Sequence, residues 1–264
     1  MPSPRISRGF TLIELVVTLA LLGVLAMLAA LGALWWLAAH RGWVSKVFLP
    51  TPEAAWQSLA EGLAGGELAG YAAATLARMV LGWGLAAALG VLLGALIGSS
   101  AAARAWLQPT LEFLRPLPAS AVMPLAIAIF GLSGGMVLAV VAFGAMWPVL
   151  LATLHGLASV HPRLREVADG LQMGRLAFLW KIGLPQALPD ILAALRLAMT
   201  VSLIVSVVGE MIASQPGLGQ AILLAARAFR ASELFAGIAL LGAIGFASNA
   251  LLALAERHAL RWQR

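Results

Sequence analysis

Six long stretches almost free of charge divide this sequence, at 10–39, 71–98, 107–130, 135–158, 187–213 and 234–255. An α-helix crosses the hydrocarbon core of a bilayer with about 20 apolar residues, so every stretch is long enough to span. A soluble fold is excluded by supply and demand. Of 264 residues, 62% are hydrophobic and 11% charged, with a mean hydropathy of +0.96, whereas about a quarter of a typical soluble domain is charged. Lipid accepts apolar side chains all round a helix, which removes the difficulty. The expected fold is an all-α polytopic membrane protein with six transmembrane helices in one domain.

The third stretch is unusual. It holds Glu112, Arg115 and four prolines, Pro109, Pro116, Pro118 and Pro124. Proline removes helical hydrogen bonds, and broken helices persist in membranes only where protein or water satisfies the freed carbonyls. A kinked span facing a pathway is expected.

Orientation follows from the excess of Lys and Arg on cytoplasmic loops. With the N-terminus inside, the inner segments hold Arg5, Arg8, Arg104, Arg163, Arg165, Arg175, Lys181, Arg257, Arg261 and Arg264, and the outer ones Arg41, Lys46, Arg227 and Arg230. Ten against four places both termini in the cytoplasm. Two outer segments carry helix signals. In "FLPTPEAAWQSLAEGLAGG", Thr51 and Pro52 mark a start, Gly65-Gly66 a stop, and Ala55, Leu59 and Leu63 recur on one face. A turn at Pro216-Gly217 precedes a second such helix.

The segment between the fourth and fifth spans, "HPRLREVADGLQMGRLAFLWKIGLPQALPDIL", is too polar to span and too apolar to be a free loop. Helical spacing gathers Leu164, Val167, Ala168 and Leu171 on one face. After a break near Gly174, Leu176, Leu179 and Ile182 continue an apolar face. Two short helices at an angle result, with Pro185 and Pro189 returning the chain to the membrane. Such a surface suits a cleft on another protein.

This segment, 160–186, resembles the coupling loop of ABC importer permeases, whose pattern is E-A-A, a Gly six positions after the Glu, and I-x-L-P. Here stand Glu166-Val167-Ala168 and Ile182-Gly183-Leu184-Pro185, with 19 positions from Glu166 to Pro185. Gln172 occupies the family's Gly position, with Gly170 and Gly174 close by to supply conformational freedom. "WVSKVFLPTPEAAWQSL", "FLRPLPASAVMPLAIAIFG", "VVGEMIASQPGLG" and "SELFAGI" likewise resemble the permeases of the nitrate, aliphatic sulfonate and taurine branch. The resemblance covers about residues 35 to 264. It implies a type I importer permease working as a homodimer, with each copy docking one of two ABC ATPase subunits through Glu166, Val167, Ala168, Gln172, Gly174, Ile182, Leu184 and Pro185. It also implies a soluble solute-binding protein that delivers a small anion, or in some members a heterocyclic vitamin precursor, and residence in the bacterial inner membrane.

Nothing in the sequence supplies chemistry of its own. There is no Walker A string, so ATP hydrolysis falls to a partner. Cys is absent, and His40, His155, His161 and His258 lack ligand spacing, which argues against metal sites and cofactors. No G-x-S-x-G or paired-carboxylate arrangement stands out. The net charge of +6 is spread over loops, the pattern of a membrane protein and not of a nucleic-acid binder. Charges inside spans are costly and mark function by default. Glu210, near the outer end of the fifth span, is the first candidate for a pathway or gate, followed by Arg78, Arg115 and Arg196, with Glu112 beside them. The alternative is that these charges pair with one another or snorkel to the interface. Gly82, Gly84, Gly90, Gly94 and Gly98 suit close helix packing.

One motif points elsewhere. "RGFTLIELVV", Arg8 to Val17, resembles the processing site of type IV prepilins. A pilin would follow its anchor with a polar globular domain, whereas five more apolar stretches follow here. Residues 1–9 are expected to be an uncut cytoplasmic leader; cleavage between Gly9 and Phe10, or an assigned start that does not belong to the gene, are the alternatives. An ion-coupled secondary transporter would carry midplane acids. Acids are scarce here, and an amphipathic inner segment would then have no purpose.

Overall fold

A computed structural model of the chain describes residues 12–261. The prepilin-like junction, Arg5, Arg8 and Arg264 lie outside them. Every regular element among the described residues is helical. Five helices are long and apolar enough to cross a membrane, and a bent pair makes a sixth crossing if counted together.

The first helix, α1, runs Leu12–His40. α2 follows at Pro52–Ala64, where the expected signals act: Thr51 Oγ1 accepts the Ala54 N–H at 3.3 Å, Pro52 starts the first turn, and Gly66 at φ 78° ends the segment. α3, Glu67–Gly98, and α6, Gly134–Ala158, form with α9, Leu184–Ala213, the most heavily packed group. Small residues explain how closely α3 and α6 approach. Gly82, Ala86, Gly90, Gly94 and Gly98 recur every four positions and so lie along one helix face. A Cβ on Gly94 would stand 2.6 Å from the Leu150 carbonyl oxygen and 2.7 Å from Thr153 Cβ. On Gly82 it would overlap Val141. In lipid, where apolar burial does not drive helices together, such contact is a main source of association. Gly84, expected with this set, faces open space.

The proline-rich third stretch is more sharply broken than a kinked span. It consists of α4, Ala101–Leu114, and α5, Ala119–Phe130, which meet at 94°. Pro118 accounts for the break: its ring disfavours helical geometry at Leu117, and its own ψ of 129° is extended. Pro109 and Pro124 are accommodated inside the two helices. Beyond α6 come α7, Pro162–Gly170, and α8, Arg175–Phe178, then a π turn at Leu179–Gly183 that leads into α9. The short α10, Leu218–Arg227, follows the Pro216-Gly217 turn, and α11, Ala231–Ala259, completes the bundle. α10 packs on the start of α3 and the end of α9, whereas Gly98 at the other end of α3 meets Leu157. α2 and α10 therefore lie at the opposite end of the bundle from α7 and α8.

Candidate functional site

Two features stand out: the segment α7–α8 at one end, and a cavity between α5, α6 and α9. On α7, Ala168 turns inward and is buried, while Leu164 and Val167 stay exposed, with Leu171 just beyond. The expected four-residue face is thus divided between an anchor and a free surface. Leu176 continues the free surface, with 74% exposure. Leu179 and Ile182 are half-buried, and Trp180, absent from the expected set, is 69% exposed. Glu166 and Pro185 are exposed, Leu184 half-buried and Gly183 buried. A Cβ on Gly183 would lie 2.6 Å from Leu157 Cδ2, so this position seats the segment against α6.

The turn after α7 explains the Gln172 position. Met173 N–H donates to the Ala168 carbonyl and Gln172 N–H to that of Asp169, both at 2.9 Å. This pair of bonds is the Schellman pattern, whose C′ residue adopts the left-handed conformation that glycine favours. Gln172 holds that place at φ 51°. Neither Gly170 nor Gly174 has a positive φ, so the neighbouring glycines do not take over the turn. The backbone turn is preserved, and Gln172 carries strain that a glycine would avoid.

The cavity has a volume of about 640 Å³. Arg115 lies on its wall at the α4–α5 break, with Ser120, Trp147 and His155, among apolar side chains such as Met123 and Val201. Its lining contains no carboxylate among the described residues. Arg115 came from the sequence; Ser120, Trp147 and His155 did not, because a serine, an aromatic and a lone histidine on apolar helices carry no local signal. The proline cluster was the useful pointer, since the break it produces brings Arg115 to the cavity.

The other charged candidates lie elsewhere. Glu210 on α9 is fully buried. Its Oε1 accepts from Arg78 Nη1 at 2.6 Å, and its Oε2 from Thr75 Oγ1 and from Gly219 N–H, each at 2.9 Å. Thr75 Oγ1 in turn accepts the Leu218 N–H at 2.9 Å. The carboxylate thus joins α3 and α9 to the first turn of α10, and a side chain on Gly217 would collide with it. Arg196 donates to Glu256 on α11 at 3.2 Å and to Asn249 Oδ1 at 3.3 Å. Glu112 accepts from Gln108 on the exposed side of α4. Glu210, Arg78 and Arg196 do not line the cavity; the first two tie the α10 end together, and Arg196 ties α9 to α11.

Comparison with known proteins adds the family. The model for the binding-protein-dependent transport system inner membrane component matches residues 86–261. The prokaryotic N-terminal methylation motif matches residues 4–30. A putative aliphatic sulfonates transport permease protein of Bacillus subtilis is 34% identical over 231 residues, covering 88% of this chain and 84% of the relative. The taurine transport system permease protein of Escherichia coli is 30% identical, with 86% and 85% covered. A bicarbonate transport system permease protein of Synechococcus elongatus is 30% identical over 71% of this chain and 68% of its own. With these matches joined to the apolar helices described above, the chain is a multi-pass inner-membrane protein and belongs to the ABC permease family of binding-protein-dependent transport system inner membrane components.

Proposed function

We propose that this chain is the membrane-spanning subunit of an ATP-driven importer for a small organic or inorganic anion such as a sulfonate, taurine, nitrate or bicarbonate. The observation that carries the anion is the cavity: Arg115 and His155 both line it, with no carboxylate among its described lining residues. The names of the relatives support the same class, since aliphatic sulfonates, taurine and bicarbonate all present anionic oxygens. Two copies face each other across the pathway, a solute-binding protein loads it from outside, and both termini lie on the ATPase side.

Coupling runs through residues 160–186. The exposed patch of Leu164, Val167, Leu171, Leu176 and Trp180 offers an apolar face, and Glu166 beside it a charge to fix register. An ATPase subunit grips this face and moves it on binding ATP, and Ala168 and Gly183 pass the displacement to the bundle. Residues 1–9 stay on the mature subunit, so its intact mass includes them. A mass beginning at Phe10 would correct the leader and leave the transporter untouched.

The test is uptake by proteoliposomes holding the permease with its ATPase, supplied with the binding protein and labelled taurine, sulfonate, nitrate or bicarbonate. A hydrogen bond to a charged group contributes about 1.5–3 kcal/mol. Arg115→Gln is therefore expected to lower uptake about tenfold or more with the ATPase still bound. Glu166→Arg is expected to lose both ATPase association and uptake. Full uptake in Arg115→Gln would sink the anion assignment, and retained association in Glu166→Arg would sink the coupling.

A further inference from the structure

A second cavity, of about 320 Å³, lies where the end of α3 and the start of α4 meet the α7–α8 segment. Three arginines reach it from three elements: Arg104 of α4, Arg165 of α7 and Arg175 of α8. Asp169 is the one carboxylate on its wall, and none of the three guanidinium groups forms an ion pair within 4.0 Å among the described residues. Arg165 spends one nitrogen on the carbonyls of Leu157 and Ala158, at 3.1 and 3.3 Å, and so is held in place at the end of α6. Arg104 Nη1 is buried without a hydrogen-bond partner. A buried donor left unmet is unfavourable, and more so when it carries charge. Three arginines converging on one carboxylate they do not bond call for an anion with several oxygens, which the guanidinium fork fits.

Leu157, Met173, Phe178 and Leu179 add apolar surface to the same lining. Guanidinium groups and apolar side chains around one cavity, at the end of membrane-spanning helices, suit a phospholipid held by its headgroup. Basic pockets between spans bind anionic headgroups in this way. We propose that this cavity is a binding site for a phosphoryl anion, normally the phosphodiester of an anionic phospholipid, whose headgroup links α4 to the α7–α8 segment. The site is separate from the Arg115 cavity and does not depend on which solute is carried. Since Arg165 and Arg175 belong to the segment proposed to move with the ATPase, headgroup occupancy would brace that segment against α4.

The experiment uses the full chain purified with its ATPase. Thermal unfolding midpoints are measured in nanodiscs of phosphatidylcholine alone and of phosphatidylcholine mixed with phosphatidylglycerol, and in delipidated detergent with and without inorganic phosphate. Native mass spectrometry of the complex extracted from membranes counts retained phospholipid. Stabilisation by phosphatidylglycerol and not by phosphate, with phospholipid retained, is the expected result. Arg104→Gln and the exposed Arg175→Gln should each weaken apparent lipid affinity about fivefold, the worth of one basic side chain at an anionic surface. Stabilisation by phosphate alone assigns the site to a free anion in place of a lipid. No response in either arm, or equal responses in wild type and Arg175→Gln, overturns the proposal even if Arg104→Gln fails to fold.

Discussion

Helices α1 and α6 are both long, both apolar and both free of internal charge beyond Glu14, yet the structure treats them oppositely. Over its most apolar window α1 buries nothing, while α6 buries 56% of its own. α1 is the more hydrophobic of the two, so apolarity does not decide which helix becomes core. In lipid an apolar side chain is at home on any face, and burial has to be decided by shape. α6 enters the core because α3 offers it a row of small residues, and because Gly144 and Gly156 of α6 let Ala119 of α5 and Ala187 of α9 come close. α1 shows Leu, Val and Met in every direction, and Gly23 and Gly32 face open space. It is fastened near its last turns, where Trp35 donates to the Pro50 carbonyl and Trp36 to Glu53, both at 3.0 Å, and Trp35 packs on Phe235.

If shape and pairing hold the core group, the largest effect of a single change comes from its one buried ion pair. Glu210→Ala leaves Arg78 deprived of its partner and frees the first turn of α10. Removing one member of a buried pair costs about 3–5 kcal/mol, which should appear as a large drop in the detergent unfolding midpoint. An apolar replacement of both partners should recover much of the loss. A midpoint unchanged by Glu210→Ala would mean that the pair does not hold α3, α9 and α10 together. Next comes a matched substitution. Gly94→Ala puts a methyl against the Leu150 carbonyl, which cannot rotate away, and should cost about 1–3 kcal/mol. Gly32→Ala, with nothing within 4 Å, should instead gain about 0.5–1 kcal/mol from helix propensity. Opposite signs in the same assay would sharpen the contrast between the helices; equal signs would break it.

The same distinction separates what could be read from the sequence from what could not. The spans were legible because lipid imposes length and apolarity on each helix by itself. The caps of α2, the Pro216-Gly217 turn and the two short helices after α6 were legible because their signals lie within a few residues. Gly82, Gly90, Gly94 and Gly98 announced a packing face by their four-residue spacing, which Gly84, two positions from Gly82, does not share; the structure accordingly leaves Gly84 in open space. Glu210 illustrates the limit. A lone acid in an apolar span pointed equally to a gate and to a pairing partner, and Arg78 lies 132 positions away. Three-dimensional proximity of that kind leaves no trace in one chain. The 94° turn between α4 and α5 lies between these cases: four prolines announced a disturbance without its size.

The smallest expected effect concerns the Glu53 contact at the end of α1. Glu53, at the start of α2, is held below the ordinary glutamate range first by its own backbone N–H, with help from the Trp36 indole and from His40. His40 Nε2 stands 3.8 Å away, a favourable charge pair when the imidazole is protonated. A carboxyl whose folded pKa is depressed contributes stability above its unfolded value and loses it as pH falls through the folded one. The α1–α2 contact should therefore loosen below the usual glutamate range while the α3–α6–α9 group, which does not depend on this carboxyl, stays unchanged. Hydrogen exchange at the backbone amides of residues 34–40 follows the contact directly. Wild type should exchange faster as the pH falls, after correction for intrinsic rates, and Glu53→Gln should exchange at one rate throughout. An equal pH response in the variant would show that another group controls the end of α1, and that its hold rests on the Trp35 hydrogen bond to the Pro50 carbonyl and the Trp35–Phe235 packing.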